Sequence, residues 1–185
     1  PEQVRIYLAQ QRILRQSEGL ESALELLDAA LIDVPGHGDL LYARGLVTAQ
    51  LKMIDKHEAD MRLLIELEPK NAHAYNALGY TLADQTDRLD EALVLIERAL
   101  ALLPEDPFIL DSMGWVHYRL GNNDLAREYL QKAIGLRLDA EIAAHLGEVL
   151  WMDGERDQAR TVWQRGHEND PDNSVLRETL RKFEP

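Results

Sequence analysis

Apolar side chains recur three and four residues apart through nearly the whole chain, in short blocks broken by polar turns. Tyr75, Leu78 and Leu82, followed by Ala92, Ile96 and Ala99, show the pattern. Each trio marks one stripe of a helix, so the two stripes predict a pair of amphipathic helices with a turn around Gln85–Leu89. The same arrangement returns in Leu110, Met113 and His117 with Ala126, Leu130 and Ala133. It returns again in Ala143, Leu146 and Leu150 with Ala159, Trp163 and Gly166. Punctuation keeps the same step: Pro1, Pro35 and Pro69 lie 34 residues apart, and Pro104 follows 35 later. Gly45, Gly79, Gly114 and Gly147 recur at 34, 35 and 33. A near-constant period of this length predicts stacked helical hairpins, because one hairpin cannot bury its apolar face alone.

The period divides the chain into units 4–37, 38–71, 72–106, 107–139 and 140–173, followed by a helix over 174–184. The periodic glycines, with Ala23, Ala92, Ala126 and Ala159, are small enough to let paired helices approach closely. Turns are expected at Gly121-Asn122-Asn123-Asp124 and Asp153-Gly154, and the prolines stop each second helix. Three irregularities stand out. The third unit carries one extra residue, expected in its inner turn. The fourth is one short and has Leu138 where a closing proline is expected, and the second has Leu64 in place of a small alanine. Ser174–Phe183 reads as an N-cap followed by an amphipathic helix, apolar at Val175, Leu176, Leu180 and Phe183 and charged at Arg177, Glu178, Arg181 and Lys182. That composition suits the polar-faced cap at the open end of a solenoid. Pro1 falls on the closing place of the period, so the array is expected to continue upstream, where any targeting segment would lie.

Charge narrows the partners. Lys and Arg total 20 against 33 Asp and Glu, a net charge of -13. With no basic stripe to offset it, this balance argues against nucleic acid and leaves basic or mixed-charge protein surfaces open. The absence of cysteine excludes disulfides and thiol catalysis. No apolar run approaches the roughly 18 residues that suggest a membrane span. Nucleophile-elbow, zinc-protease and phosphate-loop motifs are all missing, so nothing points to an enzyme, a metal or a cofactor. The six histidines are scattered; His117 is expected in a helix–helix contact, and His145 on the inner wall. Asp124, Glu128, Asp153, Glu155 and Asp157 are expected on a solvated face. Trp163 takes the bulky packing position of a second helix.

The residues Tyr75, Leu78, Gly79, Leu82, Ala92 and Ala99, with their counterparts in the fourth and fifth units, resemble the tetratricopeptide repeat. The resemblance implies an all-α right-handed solenoid of about five hairpins plus a C-terminal capping helix, with the first helix of each unit lining a concave wall that binds protein or peptide partners. Counting along those helices places Tyr42, then Asn76 and Tyr80, then Asp111, Trp115, Tyr118 and Arg119, then His145, Glu148 and Trp151 on that wall. Arg15, Gln50 and Asp84 fall on it as well. Large aromatics there could bury apolar side chains while their polar atoms bond a peptide backbone. The lysine-rich clamp by which some tetratricopeptide domains grip a chaperone's C-terminal carboxylate is not matched, since Leu8, Arg12, Ala43, His73 and Ala77 hold its positions.

Three segments are more particular: Asn76–Asp84, Asp111–Gly121 and Ala140–Trp151. They resemble the C-terminal repeats of proteobacterial outer-membrane tetratricopeptide lipoproteins. That resemblance implies a periplasmic adaptor engaging a carboxyl-terminal processing protease and peptidoglycan hydrolases. It also implies a lipid anchor outside these residues. Two other roles fit the repeats: a scaffold for envelope assembly, as in pilus formation or polysaccharide export, and the regulatory tail of a larger enzyme.

Overall fold

The computed structural model describes residues 2–183; Pro1, Glu184 and Pro185, and with them the expected closing role of Pro1 and the last residue of the capping segment, lie outside the described residues. The described residues form eleven α-helices and no strand. Five antiparallel pairs follow in order: α1 (Glu2–Ser17) with α2 (Leu20–Asp33), α3 (Gly38–Gln50) with α4 (Ile54–Leu67), α5 (Ala72–Gln85) with α6 (Leu89–Leu102), α7 (Pro107–Arg119) with α8 (Asn123–Leu136), and α9 (Ala140–Met152) with α10 (Arg156–Asn169). The last helix, α11 (Ser174–Phe183), packs on α9 and α10. Each first helix touches its own second helix and the first helix of the next pair, and each second helix touches the following first helix.

The periodic small residues make the close pairing possible. Ala23, Ala92, Ala126 and Ala159 are wholly buried where paired helices meet. Gly147 shows why no side chain fits opposite: a Cβ built there would lie 2.0 Å from Nε1 of Trp163. Trp163 itself is 1% exposed, and its indole N–H donates to the Ala144 carbonyl at 3.3 Å. In the second pair the equivalent of the alanine is His57, also wholly buried. Its Nδ1 lies 2.8 Å from the Gly45 carbonyl on α3 and its Nε2 3.2 Å from the Ala77 carbonyl on α5. His57 thus ties two successive first helices together through the second helix between them.

The irregular units resolve into definite places. In the second, fourth and fifth pairs the inner turn uses a left-handed residue: Lys52 at φ 57°, Gly121 at 81° and Gly154 at 88°. The third pair does without one. Its extra residue lies in α5, which runs 14 residues against 13 for α3, α7 and α9, and its inner turn is closed by Thr86. The Thr86 hydroxyl donates to the Leu82 carbonyl at 2.6 Å and accepts from the Arg88 amide at 3.1 Å. The residue missing from the fourth unit is taken from the link between α8 and α9, Arg137–Asp139. Asn71, Asp106 and Asp139 cap α5, α7 and α9 by accepting backbone N–H bonds at 2.9–3.2 Å, satisfying donors that a helix start leaves open. The N-cap of α11 is Asn173, bonded to the Leu176 amide at 3.0 Å, and not Ser174 as expected from sequence.

Ion pairs stitch the second helices. Glu58 bonds both Arg62 and Arg88, which also hold Glu91. The Arg88 guanidinium, with Arg62, pulls the Glu58 carboxyl down to about 2. Arg44 reaches Asp28 at 2.8 Å and Asp60 at 2.6 Å, and Lys56 adds a second contact to Asp28 at 2.8 Å. Asp153 faces water as expected and Glu155 is half-buried, and both also engage the preceding pair: Arg127 binds Glu155, and Asn123 donates to Asp153 at 2.7 Å. His117 stacks on Tyr129 across α7 and α8, with centroids 5.7 Å apart, and burial lowers its pKa.

Candidate functional site

The first helices enclose a groove of about 840 Å³. Arg15 of α1, Tyr42 and Gln50 of α3, Asn76, Tyr80 and Asp84 of α5, and Phe108 and Asp111 of α7 line one continuous wall. Glu141 from the first turn of α9 and Asn173–Val175 at the start of α11 close its far side. On α5, Asn76, Tyr80 and Asp84 stand four residues apart, which puts them on one face over two turns.

Of the thirteen residues read from sequence as the inner wall, Arg15, Tyr42, Gln50, Asn76, Tyr80, Asp84 and Asp111 line this groove. The others serve contacts between neighbouring helices. Asp111 also belongs to that inner layer, at 5% exposed; Trp115 is 8% exposed, His145 3% and Glu148 7%. The His145 Nδ1 lies 2.9 and 3.0 Å from the two Asp111 carboxylate oxygens, and Trp115 stacks on the imidazole at 4.3 Å. On the other side, His145 Nε2 meets the Tyr80 hydroxyl at 3.4 Å, and that hydroxyl donates to Glu141 Oε1 at 3.1 Å. Burial disfavours charge on the ring, but Asp111 first, and then Glu141 and Asp84, outweigh it and hold His145 up at about 9. The ring is therefore an imidazolium at neutral pH, donating to Asp111 and Tyr80, while the Tyr80 hydroxyl donates to Glu141. Burial raises the Glu141 carboxyl above the usual carboxylate range, with His145 pulling the other way.

A second layer lies beyond this one. Tyr118 packs against Trp115 at 5.3 Å and donates to Glu148 at 3.3 Å; burial, then the Glu148 charge, pushes its hydroxyl up to about 12. Lys182 of α11 completes the row by bonding Glu148 at 2.8 Å. Arg119 reaches back to the carbonyls of Ala83, Asp84 and Thr86, at the end of α5. Trp151 stacks on Trp163 at 5.4 Å and meets Phe183 at 5.8 Å, with Arg156 and Arg160 over its ring.

Glu141, Phe108 and the α11 start were not singled out from sequence. Glu141 had a legible signal: it precedes His145 by four residues, as Asn76 precedes Tyr80 and Asp111 precedes Trp115. Both nitrogens of His145 are engaged within the protein, whereas Asn76 Oδ1 is enclosed without a partner among the described residues. Among those residues no group of three His, Cys, Asp or Glu is arranged to hold a metal ion.

Stacked hairpins around an open groove define a helical-repeat solenoid of the kind that binds other proteins. Residues 112–174 match the tetratricopeptide repeat family. The TPR repeat-containing protein PA4667 of Pseudomonas aeruginosa is 43% identical over 145 residues, which cover 78% of this chain and 25% of that protein. Bacteriophage adsorption protein A of Escherichia coli K12 is 28% identical over 103 residues, 56% of this chain and 10% of its own length. The chain thus spans a quarter or less of these relatives. A thermophilic TPR protein of Thermus thermophilus superposes with a TM-score of 0.85 at 23% identity over 97% of both chains. Pseudomonas aeruginosa pilF does so at 0.73 and 22% identity, over 99% of this chain and 85% of that one. The chain is a tetratricopeptide-repeat protein.

Proposed function

We propose that the chain is a protein-interaction scaffold whose inner groove holds a partner segment, and that it serves as the adaptor of a periplasmic proteolytic system. In this role it brings a carboxyl-terminal processing protease together with peptidoglycan hydrolases, tethered to the outer membrane through a lipid anchor outside these residues. The observation that carries the scaffold reading is the groove of about 840 Å³, polar and aromatic along its wall. What supports the adaptor role is the resemblance of Asn76–Asp84, Asp111–Gly121 and Ala140–Trp151 to the outer-membrane lipoprotein repeats. Two binding events on one rigid frame raise local concentration without new chemistry.

Affinity capture from a proteobacterial envelope extract tests this, using the wild-type chain and Asn76→Trp, which fills the groove. Recovery of a protease and cell-wall hydrolases by the wild type, lost in a folded Asn76→Trp variant, is the expected result. Recovery of pilus or export assembly proteins would replace the adaptor role with that of an envelope scaffold. Equal recovery by both variants would move the partner site off the groove.

A further inference from the structure

Hydrogen bonds between first helices join neighbours, with one exception. Arg15 bonds Gln50 from α1 to α3, Gln85 reaches back from α5 to α3, and Arg119 reaches back from α7 to α5. His145 with Asp111 and Tyr118 with Glu148 each span the single junction between α7 and α9. Among the described residues only Tyr80 skips a hairpin. From α5 it passes α7, donates to Glu141 at 3.1 Å and accepts from His145 Nε2 at 3.4 Å, both on α9. The helices α5 and α9 do not themselves pack on each other, so side chains alone bridge them. The difference matters for shape, because the curvature of a stacked array is the sum of small rotations at its junctions. A bond across one junction fixes one rotation. The Tyr80 bond closes a triangle whose other sides are the packing of α5 on α7 and the Asp111–His145 pair, so it limits two rotations at once.

We propose that Tyr80, held by Glu141 and His145, is a latch that sets the curvature of the array and with it the width of the groove. This rests on the groove being the partner site and names how access to it is regulated. Tyr80 lines the wall of the groove and Glu141 its far side, so the latch stands across the space a partner segment would take. Both residues are half-buried, and only their polar tips meet. The bond can therefore part while α5 stays packed on α6 and α9 on α10. Release lets α9, α10 and α11 swing away from α5 by small rotations on either side of α7, the sliding of packed helices that shear motions use. The groove then widens where Glu141 and the start of α11 close it. A segment that takes the Tyr80 hydroxyl in place of Glu141 keeps it open.

The chain has no cysteine, so Asp39→Cys and Asp172→Cys supply the only attachment points for a pair of spin labels. Both positions are exposed, one in the first turn of α3 on the wall side and the other beside the start of α11 on the far side. Double electron–electron resonance, with no partner present, reads the distance across the groove. Tyr80→Phe, which removes only the hydroxyl, should shift that distance upward and broaden it. Glu141→Ala breaks the same bond independently and should give the same shift, and the two changes together should add nothing further. Tyr118→Phe also removes a hydroxyl–carboxylate bond, but one between neighbours, and should leave the distance in place. Helical circular dichroism reports that each variant is folded. An unchanged distance in folded Tyr80→Phe and Glu141→Ala, or an equal shift in Tyr118→Phe, would overturn the latch while leaving the groove as partner site. Failure of the groove itself shows separately, as envelope capture insensitive to Asn76→Trp.

Discussion

Replacing Asp111 with asparagine removes the charge that keeps His145 protonated while preserving the side-chain shape. In the wild type the ring is held at about 9, against 6.5 for an unperturbed histidine. At about 1.4 kcal/mol per pH decade, that difference is worth on the order of 3 kcal/mol of folding free energy. Because the folded-state value is raised, the contribution is complete below pH 6.5 and is lost as pH rises through about 9. The pair is 4% and 6% exposed, so solvent screening takes little from it. His117, lowered by burial, acts with the opposite sign and below pH 6.5, outside this window. Urea unfolding at steps from pH 6 to 10 should show the wild type losing stability across that range and Asp111→Asn starting lower with a flat profile. Since stacked repeats can open piecemeal, long-range ¹H–¹⁵N spectra of the His145 ring provide the local readout. A wild-type stability that is level between pH 6.5 and 9.5, or a His145 ring that titrates near 6.5, would refute the reasoning.

Three further outcomes follow from packing and backbone geometry. Trp163→Ala should lower stability by about 3–5 kcal/mol in urea or thermal unfolding, since the side chain is 1% exposed and anchors both Gly147 and the Trp151–Phe183 stack. Gly147→Ala should cost about 1–3 kcal/mol by overpacking, and the double change Gly147→Ala/Trp163→Leu should be less destabilised than the sum of its parts. Lys52→Gly should raise the melting temperature slightly, a gain of about 1 kcal/mol, because Lys52 occupies a left-handed conformation that its two counterparts assign to glycine.

The periodic glycines and alanines made the hairpins legible, because only small residues satisfy that close contact and they must return once per unit. The groove was harder to read. On a first helix the same turn-spaced positions face both the open wall and the next first helix, so Tyr80 and Trp115 look alike in sequence yet separate in space. Trp115 went to the interior because His145, one unit later, places its ring against it. A signal for that layer did exist. Asp111 and His145 are 34 residues apart, as are Glu148 and Lys182, so complementary groups one period apart mark contacts between successive first helices. His57 had no such signal, since a wholly buried histidine in an alanine position is recognisable only once the carbonyls of Gly45 and Ala77 are seen on either side.

The backward reach of Arg119 has one more consequence. Gln85 does the same a unit earlier, donating to the Ala49 carbonyl at 3.2 Å, and Arg15 and Gln50 bond at 3.1 Å across the first junction. The donors at 85 and 119 thus finish the C-terminal ends of α3 and α5, and each arrives from the following hairpin. A chain cut one hairpin short would therefore lack the donor that finishes the C-terminal end of its last first helix.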